Sequence, residues 1–420
     1  MPEFLRTLNR KRANLPEWSH ALLFLTVGLV SIPLLDDTWT RMLFLVTLYA
    51  TLGMGLNVVV GLAGLLDLGF VAFFATGAYV VAIWGAPISP AVSGTMNYWI
   101  LLPMAVGIGA CIGLLLGLPV LPLRGDYLAI VTLGFGEIIR ILALNMDNIT
   151  RGSSGLFGIA KPDYGVGKVD HVDEFFVMAL IAALLVWFVT SRLRDSRVGR
   201  AWEAIREDED VAEGMGINTT RYKLMAFAMG ASIGALGGAI YAPFIDFVAP
   251  QSFGLIVSIN VLALVIIGGM GNTTGVIAGS AILIGIPEIL QFSETGDLLA
   301  KFAWLRDGAN VVIDAFNTVT TLDVSKLPPA NEWGEKLALY RFIVFGALLV
   351  LVMVLRPSGL FPSRRRQLGR SRSVPGTLSG SVSPARSSAW ISITAEGARA
   401  TKPWTAMAAS CSSFQPLPEA

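Results

Sequence analysis

The chain of 420 residues is 54% hydrophobic and 15% charged, and its formal net charge is +1. Its mean hydropathy is +0.65, and a water-soluble protein of this length could not bury so much apolar surface. The apolar runs are continuous over about 15 to 25 residues, which excludes the alternating segments of a membrane β-barrel. The sequence therefore predicts an all-α membrane protein, a polytopic bundle of about 10 transmembrane helices.

The first predicted elements are a basic N-terminal segment, residues 1–19, and the apolar span that follows it. No small-x-small cleavage pattern follows this span, so we interpret it as a retained helix and not as a signal peptide. Residues 20–362 then form one transmembrane domain, and residues 363–420 are expected to be a disordered cytoplasmic tail, because Ser, Arg, Pro, Gly and Ala dominate there. The predicted spans lie near residues 20–35, 42–65, 68–86, 99–121, 127–145, 174–191, 223–246, 256–269, 275–291 and 339–355.

Positive charge recurs between alternate spans and sets the predicted orientation. Basic clusters lie in the N-terminal segment, in the loop after the sixth span and after the tenth span. An even number of crossings separates each cluster from the next, so all three clusters and both termini are expected on the cytoplasmic side. The clusters are Arg6, Arg10, Lys11 and Arg12; Arg192, Arg194, Arg197, Arg200 and Arg206; and Arg364, Arg365 and Arg366.

Glycine recurs at every fourth position in two spans, which predicts flat helix surfaces where another backbone approaches closely. We expect these stripes to pack helices together and not to bind a ligand. They consist of Gly109, Gly113 and Gly117 in the fourth span and of Gly230, Gly234 and Gly238 in the seventh.

Two glycine-rich breaks interrupt the apolar helices, one at residues 53–70 and one at residues 266–279. The first contains Asn57 and Asp67, and the second contains Asn272. Irregular backbone at membrane depth is tolerated where protein shields it or where it lines a cavity. Each break is therefore either part of a cavity or a tight cytoplasmic turn. Because successive spans cross the membrane in opposite directions, a turn is needed between the eighth and ninth spans, which favours a turn for the second break.

Ionisable residues inside spans are costly, by about 2.5 to 3.5 kcal/mol for an unpaired charge near the bilayer centre. Glu137 and Arg140 are three residues apart, so we expect them to pair and to face the bundle interior, either as a brace between helices or as a lining of the pathway. Asp67, Asp246 and Glu288 lie nearer span ends and are expected to be solvated. The candidates for the translocation pathway are Asn57, Asp67, Glu137 and Arg140.

The cytoplasmic loop at residues 192–222 contains a short, strongly charged helix, predicted at about residues 199–213. This helix is too polar for lipid and too short for a domain, so we expect it to dock into a groove of a soluble partner. A solvated connector is the alternative. The expected apolar face consists of Trp202, Ile205 and Val211 or Ala212, and the expected stop signals are Gly214 and Gly216.

Four segments of the chain occur in an order that resembles a known family. They read RGDYLAIVTLGFGEIIRI, GRAWEAIREDEDVAEGMGIN, LVIIGGMGNTTGVIAG and RPSGLFPSRRR. Together they resemble the permease subunits of bacterial branched-chain amino acid ABC transporters, over about residues 40–292 and 339–366. Any one of the segments alone would be a weak signal, but four in this order are specific.

The resemblance implies an importer of a bacterial inner membrane. A second, homologous permease subunit would complete the pore, two ABC ATPase subunits would bind underneath, and a periplasmic or lipid-anchored binding protein would deliver the substrate. The resemblance also assigns ATPase coupling to Arg200, Ala201, Trp202, Glu203, Ala204, Ile205, Gly214 and Gly216. The general importer signature is Glu-Ala-Ala followed by Gly, whereas Ile205 follows Glu203 and Ala204 here, so the docking register stays open.

Two regions depart from the family pattern. The external loop at residues 292–338 is longer than expected between the last two spans, and an amphipathic helix within it would adjust the contact with the binding protein. The tail beyond residue 366 has no counterpart in the family.

The sequence also limits the chemistry. It has no G-x-x-x-x-G-K-[ST] motif, so the chain is not expected to hydrolyse ATP. His20 and His171 are the only histidines, and no catalytic or metal-binding constellation can be assembled, so we expect neither an enzyme nor a cofactor nor a metal site, and no nucleic-acid partner. The predicted function is import of branched-chain amino acids, with urea or short amides as the alternative substrates. An ion-coupled secondary transporter is the other class, and only the ABC importer needs a helix that docks a partner.

Overall fold

The structure is a computed structural model that describes residues 36–289, except 93, 121, 124, 164–168 and 170, together with residues 346, 347 and 350. Apart from those last three positions, the predicted spans at 20–35 and 339–355 lie outside the described residues. The N-terminal segment, the 292–338 loop and the 363–420 tail lie outside them as well.

The described residues form a bundle of α-helices with one short β-ribbon. A π-helical segment, Asn57–Leu62, continues the first helix. The helices are α1 (Asp37–Leu56), α2 (Val71–Gly85), α3 (Tyr98–Val120), α4 (Asp126–Asn145), α5 (Asp147–Thr150), α6 (Val172–Asp195), α7 (Arg197–Glu207), α8 (Glu209–Gly214), α9 (Thr219–Ile245), α10 (Leu255–Gly268), α11 (Thr273–Leu283) and α12 (Gly285–Ile289). Single 3-10 turns lie at Gly152–Ser154 and Pro250–Phe253.

Six segments of the described chain are long and apolar enough to cross a membrane. Two further apolar helical segments, Val71–Gly85 and Thr273–Glu288, are shorter. All eight fall where spans are predicted, so an all-α membrane protein is confirmed for the described part. The six long segments are Asp37–Leu62, Tyr98–Val120, Asp126–Asn145, Val172–Asp195, Thr219–Ile245 and Pro250–Gly268.

Helix α9 lies at the centre of the bundle and packs against α1, α2, α3 and α6. The glycine stripe of α3 faces it. A Cβ atom at Gly113 would lie 2.5 Å from the Ala231 Cβ and 2.8 Å from the Phe227 carbonyl oxygen. Both distances are shorter than real contacts, so this approach of α3 to α9 requires glycine, and the packing role predicted for the stripe is confirmed.

The glycine stripe of α9 faces the end of α1, the π-helical segment that continues it, and α2. A Cβ atom at Gly230 would lie 2.5 Å from the Val59 Cγ2 atom, and one at Gly238 would meet the backbone of α2 at Phe74 and Ala78. Because α9 is in close contact on two sides, a displacement of α9 must be passed on to its neighbours.

The ends of α4 and α9 are joined by the β-ribbon, in which β1 (Leu156–Phe157) pairs antiparallel with β2 (Phe247–Val248). Asp246 precedes β2 in a left-handed conformation, with φ of 59°. It is exposed, as predicted, and its carboxylate also accepts a 2.8 Å hydrogen bond from the Ile159 backbone N–H. The connection after α4 is thereby fixed to the end of α9.

Candidate functional site

The charged helix predicted at about residues 199–213 is two helices, α7 and α8, which form the α7–α8 hairpin (residues 197–214). The break lies at Asp208, whose backbone is extended, with φ of −158° and ψ of 114°. Its carboxylate accepts hydrogen bonds from the backbone N–H groups of Asp210 and Val211, both at 3.0 Å. Ser196 caps α7 in the same way. A side-chain cap starts each helix, and the prediction of one continuous helix is wrong here.

The apolar face predicted for this segment is used within the chain. Trp202 is 0% exposed, and its indole N–H donates a 2.7 Å hydrogen bond to the Tyr222 carbonyl oxygen in α9. Ala201, Ile205 and Ala212 are buried as well. The expectation that Trp202 and Ile205 dock into a partner is therefore wrong. These side chains instead fix the α7–α8 hairpin to the membrane bundle, and the buried indole has the hydrogen-bond partner that it needs.

The opposite face of the hairpin points to solvent and carries two large apolar side chains. Val211 is 61% exposed and Met215 is 80% exposed, four residues apart in the chain. Glu207, Asp210 and Glu213, which are near them in the chain, are exposed as well. We call Val211 and Met215, with these three carboxylates, the outward face of the hairpin. Met215 lies between Gly214 and Gly216, which belong to the predicted coupling set.

The remaining predicted coupling residues are accessible. Arg200, Gly214 and Gly216 are exposed, and Glu203 and Ala204 are partly exposed. Gly216 has φ of +85°, a conformation that favours glycine, and it follows the end of the hairpin as predicted. Five of the eight predicted coupling residues therefore reach solvent, whereas the other three are buried in the chain.

Arg206 connects the α7–α8 hairpin to the first glycine break. Its guanidinium donates a hydrogen bond to the carbonyl oxygen of Gly61, in the π-helical segment. Helix α7 also lies close to Gly64, where a Cβ atom would be 2.6 Å from the Arg206 Cγ. Gly64 has φ of +74°, so both its backbone conformation and this close approach require glycine. In the sequence, Arg206 is only one member of a basic cluster, and this contact has no sequence signal.

The second glycine break meets the first at the same place. Gly271, in the turn between α10 and α11, donates its backbone N–H to the Asn57 side-chain oxygen at 2.8 Å. A Cβ atom at Gly271 would lie 3.2 Å from the Gly61 carbonyl oxygen and 3.5 Å from a guanidinium nitrogen of Arg206. We call Asn57, Gly61, Arg206 and Gly271 the glycine junction. The turn favoured for the second break is confirmed.

The rest of the first break, residues 63–70, contains a buried carboxylate. Asp67 is 0% exposed, so its expected solvation is wrong. One carboxylate oxygen accepts the Gly69 N–H at 2.8 Å, and the other has no hydrogen-bond partner among the described residues. Burial raises the pKa of the Asp67 carboxyl to about 6, while the Gly69 N–H and the Thr132 hydroxyl act in the opposite direction. The break is thus shielded by protein and includes a buried carboxylate with one oxygen that lacks a hydrogen-bond partner among the described residues.

Two hydroxyl groups from neighbouring helices satisfy the backbone beyond Asp67. The Thr132 hydroxyl of α4 accepts the Leu68 N–H at 3.1 Å, and the Ser258 hydroxyl of α10 accepts the Val71 N–H at 3.0 Å. Both hydroxyl-bearing residues are buried. Neither is in the predicted site, although an isolated hydroxyl in an apolar span is the signal that could have identified them.

Glu137 and Arg140 pair on α4, as predicted. The Arg140 Nε atom lies 3.0 Å from each carboxylate oxygen of Glu137, and a terminal guanidinium nitrogen also contacts the carboxylate. The side chains are 45% exposed for Glu137 and 27% exposed for Arg140. The expectation that the pair faces the bundle interior is therefore wrong. The pathway candidates form two groups, with Asn57 and Asp67 buried and Glu137 and Arg140 on the outer surface.

A small cleft lies between the hairpin and the first break. Its volume is about 150 Å³, and residues that line it include Gly64, Arg206 and Glu209. Lys223, also in the lining, is 4% exposed and pairs with Glu209 at 2.6 Å. Small-molecule sites usually have volumes of about 300 to 1,000 Å³, so this cleft is too small for a solute site. Among the described residues, no group of His, Cys, Asp and Glu side chains could hold a metal ion.

Comparison with known proteins identifies the same family that the four sequence segments resemble. A sequence model of the family described as branched-chain amino acid transport system / permease component matches residues 39–353. The chain is 38% identical to the high-affinity branched-chain amino acid transport system permease protein LivM of Salmonella typhimurium. The 345 aligned residues cover 76% of this chain and 69% of that protein.

The protein of the same name in Escherichia coli K12 is 37% identical over 348 residues, which cover 77% of this chain and 70% of that protein. The permease protein LivH of the same transport system in E. coli K12 is 30% identical over 161 residues, which cover 36% of this chain and 51% of LivH. No solved structure matches the chain.

Proposed function

Because this chain belongs to the family of permease components of branched-chain amino acid transport systems, we propose that it is the permease subunit of an ABC importer for leucine, isoleucine and valine. Its relatives are named as permeases of high-affinity systems of that kind. The sequence has no phosphate-binding motif of its own, so separate ATPase subunits would supply the energy. The membrane would be a bacterial inner membrane, with both chain termini in the cytoplasm.

The observation that carries this proposal is the construction of the α7–α8 hairpin. Its inner side is fixed to the bundle through Trp202 and Arg206, and its outward face presents Val211 and Met215 among carboxylates. Val211 in α8 and Met215, directly after the last residue of α8, are two exposed apolar side chains that suit a groove on a soluble protein. We assign docking of the ATPase to this face, together with Arg200, Glu203 and Ala204 beside it.

The glycine junction would carry the movement of the docked ATPase into the membrane. Arg206 lies on α7, and it touches the π-helical segment that continues α1. Asn57 in that segment is hydrogen-bonded to Gly271, between α10 and α11. A displacement of the hairpin therefore acts on three membrane helices through direct contacts, because closely packed groups cannot absorb it by compression.

The first break is the part of the chain that we assign to the gate of the pathway. The Asn57 side-chain nitrogen and one Asp67 oxygen have no hydrogen-bond partner among the described residues. Buried polar groups without partners are costly, so a second arrangement of the break in which they are hydrated or paired would gain hydrogen bonds that the present one lacks. The movement of Arg206 would select between the two arrangements.

The remaining subunits follow from the importer assignment. A second, homologous permease would complete the pore, two ATPases would dock below, and a periplasmic or lipid-anchored protein would bind the substrate outside. That binding protein would make most of the choice of substrate, so a partner that binds urea or short amides would give the alternative function. Purification of the whole complex identifies which kind of binding protein accompanies the chain.

An ion-coupled transporter is the second class, and one observation favours it. Asp67 is a fully buried carboxylate in a membrane protein, the kind of group that relays protons in such transporters. That mechanism gives the outward face of the hairpin no role, however. A test of the hairpin therefore distinguishes the two classes.

The test uses the complete transporter, expressed with its partner subunits, and substitutes Met215 by Glu. Met215 is 80% exposed, so the chain should fold and insert, but a carboxylate in an apolar groove should prevent docking. We expect leucine uptake to stop and the ATPases to be absent from the purified complex. Glu203→Arg is expected to act in the same way.

Met215→Leu is the matched control, because it keeps an apolar side chain of similar volume. It should retain uptake and ATPase binding. Full uptake and normal ATPase content in the Met215→Glu protein would contradict the docking assignment.

A further inference from the structure

The outer surface of α4 carries charges at a depth where lipid is the usual neighbour. Glu137 is 45% exposed and Arg140 is 27% exposed, whereas Thr132 and Gly136 on the same helix are buried. The helix is 20 residues long and qualifies as a membrane span. Glu137 is its twelfth residue, so at about 1.5 Å per residue its Cα lies about 16 Å from that of Asp126, near the middle of the hydrocarbon.

Pairing does not make this surface compatible with hydrocarbon. The contact with Glu137 engages the Nε–H group and one terminal N–H group of Arg140. A guanidinium has five N–H donors, so three remain for other acceptors. Ionisable groups within membrane spans face other protein or water, since lipid tails offer no acceptor. The outer face of α4 therefore needs a protein neighbour.

The surroundings of the pair have the shape of a helix-packing surface. Gly134 lies one turn before Ile138 on this face. Apart from its chain neighbours and the backbone of its own helix, no atom of the described residues lies within 4 Å of the position that its Cβ would occupy. Ile130 and Ile138 are 66% and 55% exposed. In membranes a glycine between larger apolar side chains lets the backbone of a second helix approach closely. The charged pair adds polar groups that such a helix can satisfy.

The inner face of α4 touches the first break. The Thr132 hydroxyl accepts the Leu68 N–H, and a Cβ atom at Gly136 would lie 3.3 Å from the Gly69 Cα. A protein bound to the outer face is thus one helix away from the buried Asp67. This position is suitable for a subunit that shares the pathway.

We propose that the outer face of α4, centred on Glu137 and Arg140, is the surface that the second permease subunit covers. A closely packed membrane helix of that subunit would supply oxygen acceptors to the remaining N–H groups of Arg140. E. coli K12 has two proteins named as permeases of one transport system, and both are similar to this chain, which favours a homologous second permease as the occupant. The inference rests on the proposed function.

A photo-crosslinking experiment on the assembled transporter tests this contact. A benzoylphenylalanine at Ile138, next to the pair, is irradiated in native membranes, and the adduct is identified by mass spectrometry. Ile181 on α6 is the matched control, because it is 60% exposed and also lies within a span. We expect an adduct with the second permease from position 138 and none from position 181.

Several results would overturn the inference. They are an adduct with a second copy of this chain, a cross-link within the chain, labelling of lipid alone, no adduct, or equal adducts from both positions. Leucine uptake and ATPase content are measured on the same preparation without irradiation. Normal values there, combined with no adduct from position 138, would reject the α4 surface and leave the importer assignment intact. Loss of ATP-dependent uptake in the unsubstituted transporter would reject the importer assignment itself.

Discussion

The glycine junction and the Glu137–Arg140 pair are polar sites in the same apolar bundle, but they differ in burial and in their hydrogen-bond partners. At the junction, Asn57 is fully buried and accepts a hydrogen bond from the Gly271 N–H in the second glycine break. Arg206 donates a hydrogen bond to the buried carbonyl group of Gly61. On α4, the charged side chains bond to each other and remain partly exposed. The first site makes its contacts within this chain, whereas the second is incomplete without a neighbour.

This difference separates two kinds of function. A polar contact that is closed within one chain can transmit movement between its helices, and its loss should leave an assembled but inactive transporter. A polar surface that is left open at membrane depth serves assembly, and its loss should prevent the complex from forming. The outward face of the hairpin also serves assembly, because exposed apolar side chains such as Val211 and Met215 mark a surface that a partner covers.

The largest expected effect follows substitution of Arg140 by Gln, which leaves Glu137 without its partner. An unpaired carboxylate at membrane depth costs about 2.5 to 3.5 kcal/mol, so association with the second permease should weaken on the order of a hundredfold. The measurement is the amount of second permease that co-purifies with this chain. The double substitution Glu137→Gln with Arg140→Gln removes the unpaired carboxylate but also the Arg140 donors, so it should recover only part of the association. Normal co-purification of the second permease with the Arg140→Gln variant would argue against assembly through this pair.

A smaller effect is expected for Arg206→Ala at the glycine junction. The Gly61 carbonyl loses its contact, and the hairpin loses its connection to α1, so uptake should fall on the order of tenfold. The ATPases and the second permease should still co-purify, because the surfaces that bind them are unchanged. Arg197→Ala at the exposed start of α7 is the matched control for charge, because Arg197 is not part of the docking surface. If Arg206→Ala lost the ATPases but the control did not, the junction would be part of the docking surface and not a link behind it.

The smallest effect concerns Asp67. Because burial raises its pKa to about 6 from the ordinary 3.8, the folded protein binds this proton more tightly than the unfolded chain does. The ionised carboxylate therefore destabilises the fold above about pH 6, and this penalty disappears below about pH 4. Asp67→Asn removes the charge. The melting temperature of Asp67→Asn minus that of the unsubstituted protein is the quantity to measure. This difference should increase by a few degrees as the pH rises from about 4 to about 7. A difference that stays constant over this range would show that Asp67 titrates normally.

The apolar periodicity of the sequence was sufficient to predict the helices, because lipid imposes both their length and their composition. All eight predicted spans between residues 42 and 291 contain an apolar helical segment. The glycine stripes of α3 and α9 were equally predictable, since regular spacing on a helix defines a face. The spacing of Glu137 and Arg140 likewise predicted their pairing.

The direction in which a side chain points was not predictable. Trp202 and Ile205 form an apolar face by spacing alone, but whether that face meets α9 or a partner depends on tertiary packing. Asp67 lies near the end of a predicted span, yet the irregular backbone of residues 63–70 turns it inward. The contact between Arg206 and Gly61 joins residues far apart in the chain, and no local pattern contains it.

ATP-driven uptake of leucine by the complete transporter in sealed vesicles tests the central claim most directly, namely that separate ATPases drive this chain through the α7–α8 hairpin. Uptake should require ATP on the ATPase side, stop with vanadate, persist when an ionophore removes all ion gradients, and be absent from vesicles with Met215→Glu. Uptake that ignores vanadate and collapses with the ionophore would contradict the claim.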